Sequence, residues 1–210
     1  MNTAGFEVSR YFDNLASVWD NGTKPDQDRI KTILSIACIK EGDRVLDVGS
    51  GTGILLPYLS WNVGVAGSVL AVDYSSGMLN VSQEKNSVLP NVSFRQVNVE
   101  TESLPGHFDH IVMFNMFPHL RHPFTALRKL VERNLTADGN LLLFHSMNRQ
   151  ELNEIHSKRF GDGEYFELPA IDRLAERIRQ DGMRTSNLVD DELGYGLLVS
   201  RGARCYTIGA

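Results

Sequence analysis

This 210-residue sequence has few cysteines, no long apolar run and no excess of basic residues. Its two cysteines, Cys38 and Cys205, lack the spacing of metal ligands, so we interpret them as reduced core thiols. No apolar stretch approaches the roughly 20 residues that a membrane-spanning helix needs, so we expect no membrane association. Residues 1–10 contain no apolar segment of the secretory type. We therefore expect a cytoplasmic protein without a signal peptide.

The charged residues carry a modest acidic excess, with 21 Lys and Arg against 26 Asp and Glu. They are dispersed, and the formal net charge is −5. Binding to nucleic acid through phosphate neutralisation requires a basic surface, so we expect no nucleic-acid partner. Hydrophobic residues make up 42% of the sequence, and the length suits one well-filled core better than two.

Short apolar strands alternate with helical segments along most of the chain. Strands are predicted at 44–48, 68–72, 92–97, 110–114, 140–144, 185–189 and 195–200. Helices are predicted at 11–19, 25–37, 54–60, 78–87, 124–134, 150–159 and 171–180. This alternation predicts an α/β fold with a mostly parallel, doubly wound sheet. Only about five residues separate the last two strands, so they form a hairpin and one strand runs antiparallel.

Three glycines follow the first predicted strand. Gly49, Gly51 and Gly53 fall within five residues, which is more glycine than a tight turn needs. Glycine tolerates positive φ and lets a ligand approach the backbone closely. A turn between a strand and a helix lies at the carboxyl edge of a parallel sheet, where ligands bind. The turn therefore predicts a nucleotide-type site.

The second predicted strand ends at Asp73, 20 residues after Gly53. A carboxylate at this position can accept hydrogen bonds from both hydroxyls of a ribose. The glycine spacing is G-x-G-x-G, whereas dinucleotide-binding proteins use G-x-G-x-x-G. The spacing thus argues against a nicotinamide-dependent oxidoreductase, which stays open as a less favoured alternative.

Several segments together resemble the class I S-adenosylmethionine-dependent methyltransferases. They are residues 11–20, 45–53 (VLDVGSGTG), 69–79, 97–105, 108–120 and 135–144. The resemblance spans roughly residues 11 to 147. It implies a Rossmann-like methyltransferase fold with seven strands in the order 3-2-1-4-5-7-6 and strand 7 antiparallel, which agrees with the hairpin predicted above. It also implies S-adenosylmethionine as the cofactor.

The same resemblance assigns the cofactor contacts. The implied cofactor-binding residues are Asp47, Gly49, Ser50, Gly51, Gly53, Asp73, Tyr74, Met78, Asn98, Val99 and Asn115. The glycine turn and Asn115 would contact the methionine portion, and Asp47 would orient either the turn or the methionine amino group. Asp73 would hold the ribose hydroxyls. The adenine would lie among Tyr74, Met78, Asn98 and Val99. Asn98 stands where the family often has aspartate, which makes the contact to the adenine amino group weaker.

Methyl transfer from a sulfonium is an in-line displacement, so the protein chiefly positions the two reactants. The short insertion after the fifth strand favours a small or medium-sized acceptor molecule over a macromolecule. Residues 1–40 are interpreted as a helical lid segment packed on a methyltransferase domain at 41–210. Tyr11 and Trp19 either contact the acceptor and exclude water or serve as ordinary packing aromatics. A non-catalytic S-adenosylmethionine-binding module is the alternative to an enzyme.

Three histidines map to the same sheet edge as the glycine turn. His119 follows the fourth strand, His145 ends the fifth, and His156 lies on the next helix. They are structural, or form a general base or substrate clamp, or hold a transition metal, because imidazole is suited to each role. We predict that at least His119 and His145 face the cleft beside the transferred methyl group.

Overall fold

The fold is built on a seven-stranded sheet in the order β3-β2-β1-β4-β5-β7-β6. The computed structural model of the protein describes residues 3–22, 26–160 and 165–202. The strands are β1 (Arg44–Val48), β2 (Ser68–Asp73), β3 (Val92–Gln96), β4 (Phe108–Phe114), β5 (Leu135–His145), β6 (Arg184–Asp191) and β7 (Gly194–Ser200). Strands β1 to β5 pair in parallel, and β7 is antiparallel to both β5 and β6. The predicted order and antiparallel strand are confirmed.

Helices connect the strands and flank the sheet. They are α1 (Thr3–Leu15), α2 (Gln27–Ser35), α3 (Leu56–Val63), α4 (Ser76–Asn86), α5 (Pro123–Asn134), α6 (Arg149–Phe160) and α7 (Ile171–Gln180). Two 3-10 helices occupy Ala16–Gly22, directly after α1, and Phe117–His119, after β4. Within the described part of the chain, no helix combines the length and apolarity needed to cross a bilayer.

Side-chain alternation along the central strands supplies both halves of the core. Ile111 and Met113 of β4 pack in one cluster with α5 and α7, whereas Val112 packs in the other with α2 and α3. On β5, Leu141 and Leu142 divide between the same two clusters. A strand that is buried on both faces has a continuous apolar sequence. This explains why the sequence predicts the positions of the central strands. Fully burying each leucine contributes about 1.5–3 kcal/mol.

Some element boundaries differ from the sequence prediction. Strand β5 starts at Leu135 rather than residue 140, because Leu135 pairs with Phe108 across a register shift in the ladder. The intervening Asp138 and Gly139 resemble a turn in the sequence. Pro25, expected near the start of the second helix, lies outside the described residues, and α2 is capped by the Asp26 side chain, which accepts from Arg29 N–H at 3.0 Å.

Cys38 is not a core thiol. Its helix ends at Ser35, and Cys38 lies exposed in the following turn with a φ of 55°. The interpretation of Cys38 as buried was therefore wrong, because the apolar run up to Ala37 does not extend to it. Cys205 lies outside the described residues.

Candidate functional site

A cleft of about 1520 Å³ opens at the carboxyl ends of the parallel strands. Its wall contains most of the residues that the sequence assigned to a site. These are Tyr11, Trp19, Asp47, Gly49, Ser50, Gly51, Asp73, Tyr74, Met78, Asn98, Val99, Asn115 and His119. The volume exceeds the roughly 300–1,000 Å³ of a typical small-molecule pocket, so the cleft has room for two ligands side by side.

The three glycines of the turn serve different purposes. Gly51 has a φ of +54°, and a Cβ built on it would meet nothing within 4 Å. A Cβ on Gly49 would lie 2.8 Å from Cβ of Met116, and one on Gly53 would clash with Oγ of Ser82. Gly49 therefore lets the loop after β4 approach, and Gly53 lets α4 approach. Gly51 faces open space in the cleft, whereas Gly53 is not part of the wall.

Asp73 ties the glycine turn to the start of α4. Its Oδ2 accepts a hydrogen bond from Gly51 N–H at 2.8 Å, and its Oδ1 accepts one from Ser75 N–H at 2.8 Å. Burial raises the pKa of Asp73, although these backbone donors oppose the rise. A carboxylate has about four acceptor sites, so Asp73 keeps capacity to accept from a ligand while it braces the turn.

Asp47 is a carboxyl group at the floor of the cleft, only 1% exposed. Its Oδ2 has no hydrogen-bond partner among the described residues. Burial, with a smaller contribution from the charge of Asp73, raises the pKa of Asp47 to about 7. A buried carboxyl oxygen without a partner is costly, so this position suits a cationic or hydrogen-bond-donating group of a ligand.

Two carboxylates near the N-terminus anchor that segment beside the cleft. Asp13 Oδ1 accepts from Ser75 Oγ at 2.6 Å and from Gly77 N–H at 2.8 Å, at the start of α4. Asp20 accepts from Thr52 Oγ1 at 2.8 Å, within the glycine turn. The sequence analysis missed both roles. The signal available was their seven-residue separation (13 to 20), about two helical turns.

Aromatic side chains of the N-terminal segment form another part of the wall. The Phe12 ring lies at the centre, with centroids 5.3 Å from Tyr11, 5.5 Å from Trp19 and 5.1 Å from His119. Trp19 is 40% exposed at the mouth. Tyr11 and Trp19 thus pack against the same aromatic centre while they line the cleft.

Asn115 and Ser146 form a hydrogen-bonded polar pair in the cleft wall. Asn115 follows β4 with a φ of 55°. Its Oδ1 accepts from Ser146 N–H at 2.9 Å, and its Nδ2 donates to Ser146 Oγ at 3.1 Å. The pair joins the ends of two neighbouring strands at the cleft.

Of the three histidines, the structure brings only His119 to the cleft wall. His119 and His156 are in contact, with ring centroids 5.0 Å apart. His145 is fully buried, and its two ring nitrogens have no hydrogen-bond partner in the described part of the chain. The burial of His145 contradicts the prediction that it faces the cleft. Strand β7 continues beside β5 as far as His145, which pairs with Tyr195 inside the sheet.

The electrostatics of the histidines disfavour a general base. Burial lowers the pKa of His119 to about 3, with further lowering by His156 and Arg159. Burial also lowers the pKa of His145 to about 3. A general base works best when its pKa lies near the operating pH. Among the described residues, no group of three His, Cys, Asp or Glu side chains could hold a metal ion.

The buried His145 predicts a measurable acid sensitivity. The unfolded chain binds a proton at this histidine near pH 6.5, whereas the native protein does so only near 3. Protonation of His145 therefore favours the unfolded chain as the pH falls from about 6.5. The free energy of unfolding decreases by up to about 1.4 kcal/mol per pH unit. His145→Leu should reduce that slope in urea unfolding measured from pH 7.5 to 4.5.

The comparison of slopes isolates the histidine. Asp47 acts in the opposite sense, because its raised pKa lets the native protein take up a proton before the unfolded chain does. This contribution is present in both proteins and cancels in the difference. Equal slopes for wild type and His145→Leu would contradict the prediction.

Comparisons with known proteins agree with this geometry. A family model described as a methyltransferase domain matches residues 45–139. The UbiE ubiquinone/menaquinone biosynthesis C-methyltransferase of Pseudomonas paraeruginosa is 30% identical over 145 residues, covering 67% of this chain and 56% of that protein. The chain spans about half the length of the curated relatives it matches.

Solved structures show the same architecture. An S-adenosylmethionine-dependent methyltransferase from Aquifex aeolicus is 26% identical with a TM-score of 0.69, covering 91% of this chain and 96% of that one. The DhpI structure in complex with SAH is 21% identical with a TM-score of 0.72, covering 97% and 100%, and shows the fold alone. The chain belongs to the class I S-adenosylmethionine-dependent methyltransferases.

The residues of the cleft fit the cofactor of this family, S-adenosylmethionine. The unpartnered oxygen of Asp47 offers an acceptor for an amino group. Gly51 leaves the backbone of the turn open to a ligand. Asp73 retains acceptor capacity for hydroxyl groups at the adjoining strand end.

Proposed function

We propose that this protein transfers a methyl group from S-adenosylmethionine to a small or medium-sized acceptor molecule. The observation that carries the proposal is the juxtaposition, in one cleft, of the open Gly51, the unpartnered Asp47 oxygen and Asp73. When bound, the cofactor supplies an activated methyl group on a sulfonium. The protein then has to hold two molecules in line and exclude water.

The proposed division of the cleft follows its chemistry. Asp47 and the glycine turn would hold the methionine portion, and Asp73 the ribose. The loop containing Asn98 and Val99, with Tyr74 and Met78, would hold the adenine. Asn115, fixed by Ser146, would lie beside the methionine portion. We further propose that the segment before residue 41 acts as a lid, since Asp13 and Asp20 fasten it to the site.

The remaining wall supports an acceptor with an apolar body. It contains Phe12, Met116, Met147, Ile155 and Phe166. Met147 and Ile155 are 40% and 38% exposed, so their apolar side chains are accessible to a ligand in the cleft. We therefore propose that the acceptor packs between the N-terminal aromatics and the segment after β5.

We propose an acceptor atom that does not depend on a protein base. His119 is the histidine in the cleft wall, and its low pKa makes it a weak proton acceptor. Its neutral ring can still hydrogen-bond a polar group of the acceptor. An acceptor atom that is already ionised, or has an available electron pair, satisfies this arrangement.

The direct test is binding followed by turnover. Calorimetry should show binding of S-adenosylmethionine and S-adenosylhomocysteine, and no binding of a nicotinamide dinucleotide. Incubation with radiolabelled S-adenosylmethionine and a library of small aromatic and apolar nucleophiles should yield S-adenosylhomocysteine. Cofactor binding without turnover on any acceptor would support a non-catalytic binding module instead.

Cofactor affinity should depend on pH through Asp47. Its pKa of about 7 means that the carboxyl is mostly protonated below that pH and cannot pair with an ammonium group. Affinity for S-adenosylhomocysteine should therefore weaken by up to about tenfold per pH unit as the pH falls from 7 to 5.5. Asp47→Asn should bind more weakly at pH 7.5 and lose this dependence. A parallel pH profile in the variant would show that Asp47 does not meet the amino group.

A further inference from the structure

The loop after β3 has one side in the cleft and another against α5. On the cleft side, Asn98, Val99 and Glu100 form part of the wall. The loop is tightly closed by its own polar groups. Asn98 Oδ1 accepts from Glu100 N–H at 2.9 Å, and Asn98 N–H donates to Glu102 Oε1 at 2.8 Å. Because residues 98–100 form part of the cleft wall, a small change in the backbone of this loop would move the wall.

On the side facing α5, one ammonium group donates hydrogen bonds to three carbonyl groups of this loop. Lys129 Nζ donates to the carbonyl oxygens of Val99 at 2.9 Å and Glu100 at 3.5 Å, and also to that of Glu102. An ammonium group has three donors and no acceptor, so its capacity matches these three carbonyls. Lys129 is held by the α5 backbone, which packs in the core through Ala126 and Leu130.

The two carboxylates of the loop do not replace this interaction. Glu100 Oε1 accepts from His122 N–H at 2.7 Å, and Glu102 Oε1 accepts from Asn98 N–H. Desolvation and Arg133 lower the pKa of Lys129, opposed by the charges of Glu102 and Glu100. The lysine is thus placed where its charge is partly desolvated, and its contacts there are backbone carbonyls.

We propose that Lys129 is a positioning residue that fixes the backbone of residues 97–102 and so determines how selectively the cleft binds adenine. The inference rests on the proposed function, in which Asn98 and Val99 contact the adenine. Lys129 itself does not line the cleft. It affects the ligand by fixing the position of the backbone carbonyl groups to which it donates hydrogen bonds.

The test compares Lys129→Met, Lys129→Arg and, as a matched control, Arg128→Met, which changes an exposed cation on the same helix. Calorimetry measures the affinity of each for S-adenosylhomocysteine and for S-inosylhomocysteine, in which the adenine amino group is replaced by oxygen. Lys129→Met should bind S-adenosylhomocysteine about tenfold more weakly, equivalent to about 1.4 kcal/mol. Its preference for the adenosyl over the inosyl compound should shrink by a similar factor.

The ratio of the two affinities separates positioning from general damage. A loss of fold stability alone would weaken both compounds equally and leave the ratio unchanged, which would overturn the inference. Lys129→Arg keeps a cationic donor and should recover most of the selectivity, and Arg128→Met should match wild type. Wild-type selectivity in Lys129→Met would also overturn it. If wild type binds neither compound, the proposed function fails instead.

Discussion

Replacing Gly51 by valine is expected to abolish cofactor binding while the protein still folds. A Cβ at this position meets nothing within 4 Å, so the first side-chain atom contacts no other part of the protein. The valine would instead occupy cleft space that the cofactor needs. It would also strain the turn, because a β-branched residue rarely adopts a φ near +54°. Affinity for S-adenosylhomocysteine should fall at least about 100-fold, or about 2.8 kcal/mol, by calorimetry.

Gly106→Val is the matched control for this substitution. Gly106 has a φ of +91°, its Cβ would also meet nothing within 4 Å, and it does not line the cleft. The substitution introduces comparable backbone strain, about 1–2 kcal/mol, and should lower thermal stability without changing cofactor affinity. If Gly51→Val binds as tightly as Gly106→Val, the cofactor does not lie on this turn.

The second large effect is expected from Asp73→Ala. The substitution removes the acceptor that holds Gly51 N–H and Ser75 N–H, and with it the proposed contacts to the ribose hydroxyls. Hydrogen bonds to a charged group contribute about 1.5–3 kcal/mol each. Losing two of them at the ligand should weaken binding of S-adenosylhomocysteine by roughly 100-fold to 10,000-fold.

Asp109→Ala provides the comparison for Asp73→Ala. Asp109 Oδ2 also accepts from a backbone N–H, that of Arg44 at 2.9 Å, but at the amino ends of the strands and away from the cleft. This variant should lose stability in urea unfolding and keep its cofactor affinity. A similar loss of affinity in both variants would mean that Asp73 acts through the fold and not through the ligand.

The fold was predictable because its signals are local and repeated. The central strands are apolar on both faces. The predicted connection of about five residues between the last two strands is too short for a helix and requires a hairpin, and in the structure it shortens to Glu192–Leu193. The glycine turn and Asp73 were predictable for a related reason. They lie at strand ends, and the parallel order of the sheet brings those ends to one edge.

The histidines show where sequence reasoning reaches its limit. Their order along the chain places His119 and His145 at neighbouring strand ends, and the structure confirms those positions. The sequence does not reveal that β7 runs beside β5 as far as His145 and buries it. Side-chain direction at a strand end depends on how far the neighbouring strand extends, which is a tertiary property.

The same limit explains the anchors that were missed. Asp13 and Asp20 contact Ser75, Gly77 and Thr52, which lie more than thirty residues away in the chain. Lys129 contacts backbone carbonyl groups, and because every residue has one, the amino-acid sequence does not show which of them the lysine contacts. Interactions of side chains with distant backbone become visible only in three dimensions.

The bond from Asp20 to Thr52 has a kinetic consequence. It joins the N-terminal segment to the glycine turn, and the Asp20–Lys85 ion pair, 2.6 Å long and exposed, reinforces it. If the segment acts as the proposed lid, exchange of a spent cofactor for a new one requires this hydrogen bond and this ion pair to break, and the residence time of the ligand then depends partly on Lys85, which does not line the cleft. Because exposed ion pairs are screened by salt, ionic strength would speed both arrival and departure with little change in affinity.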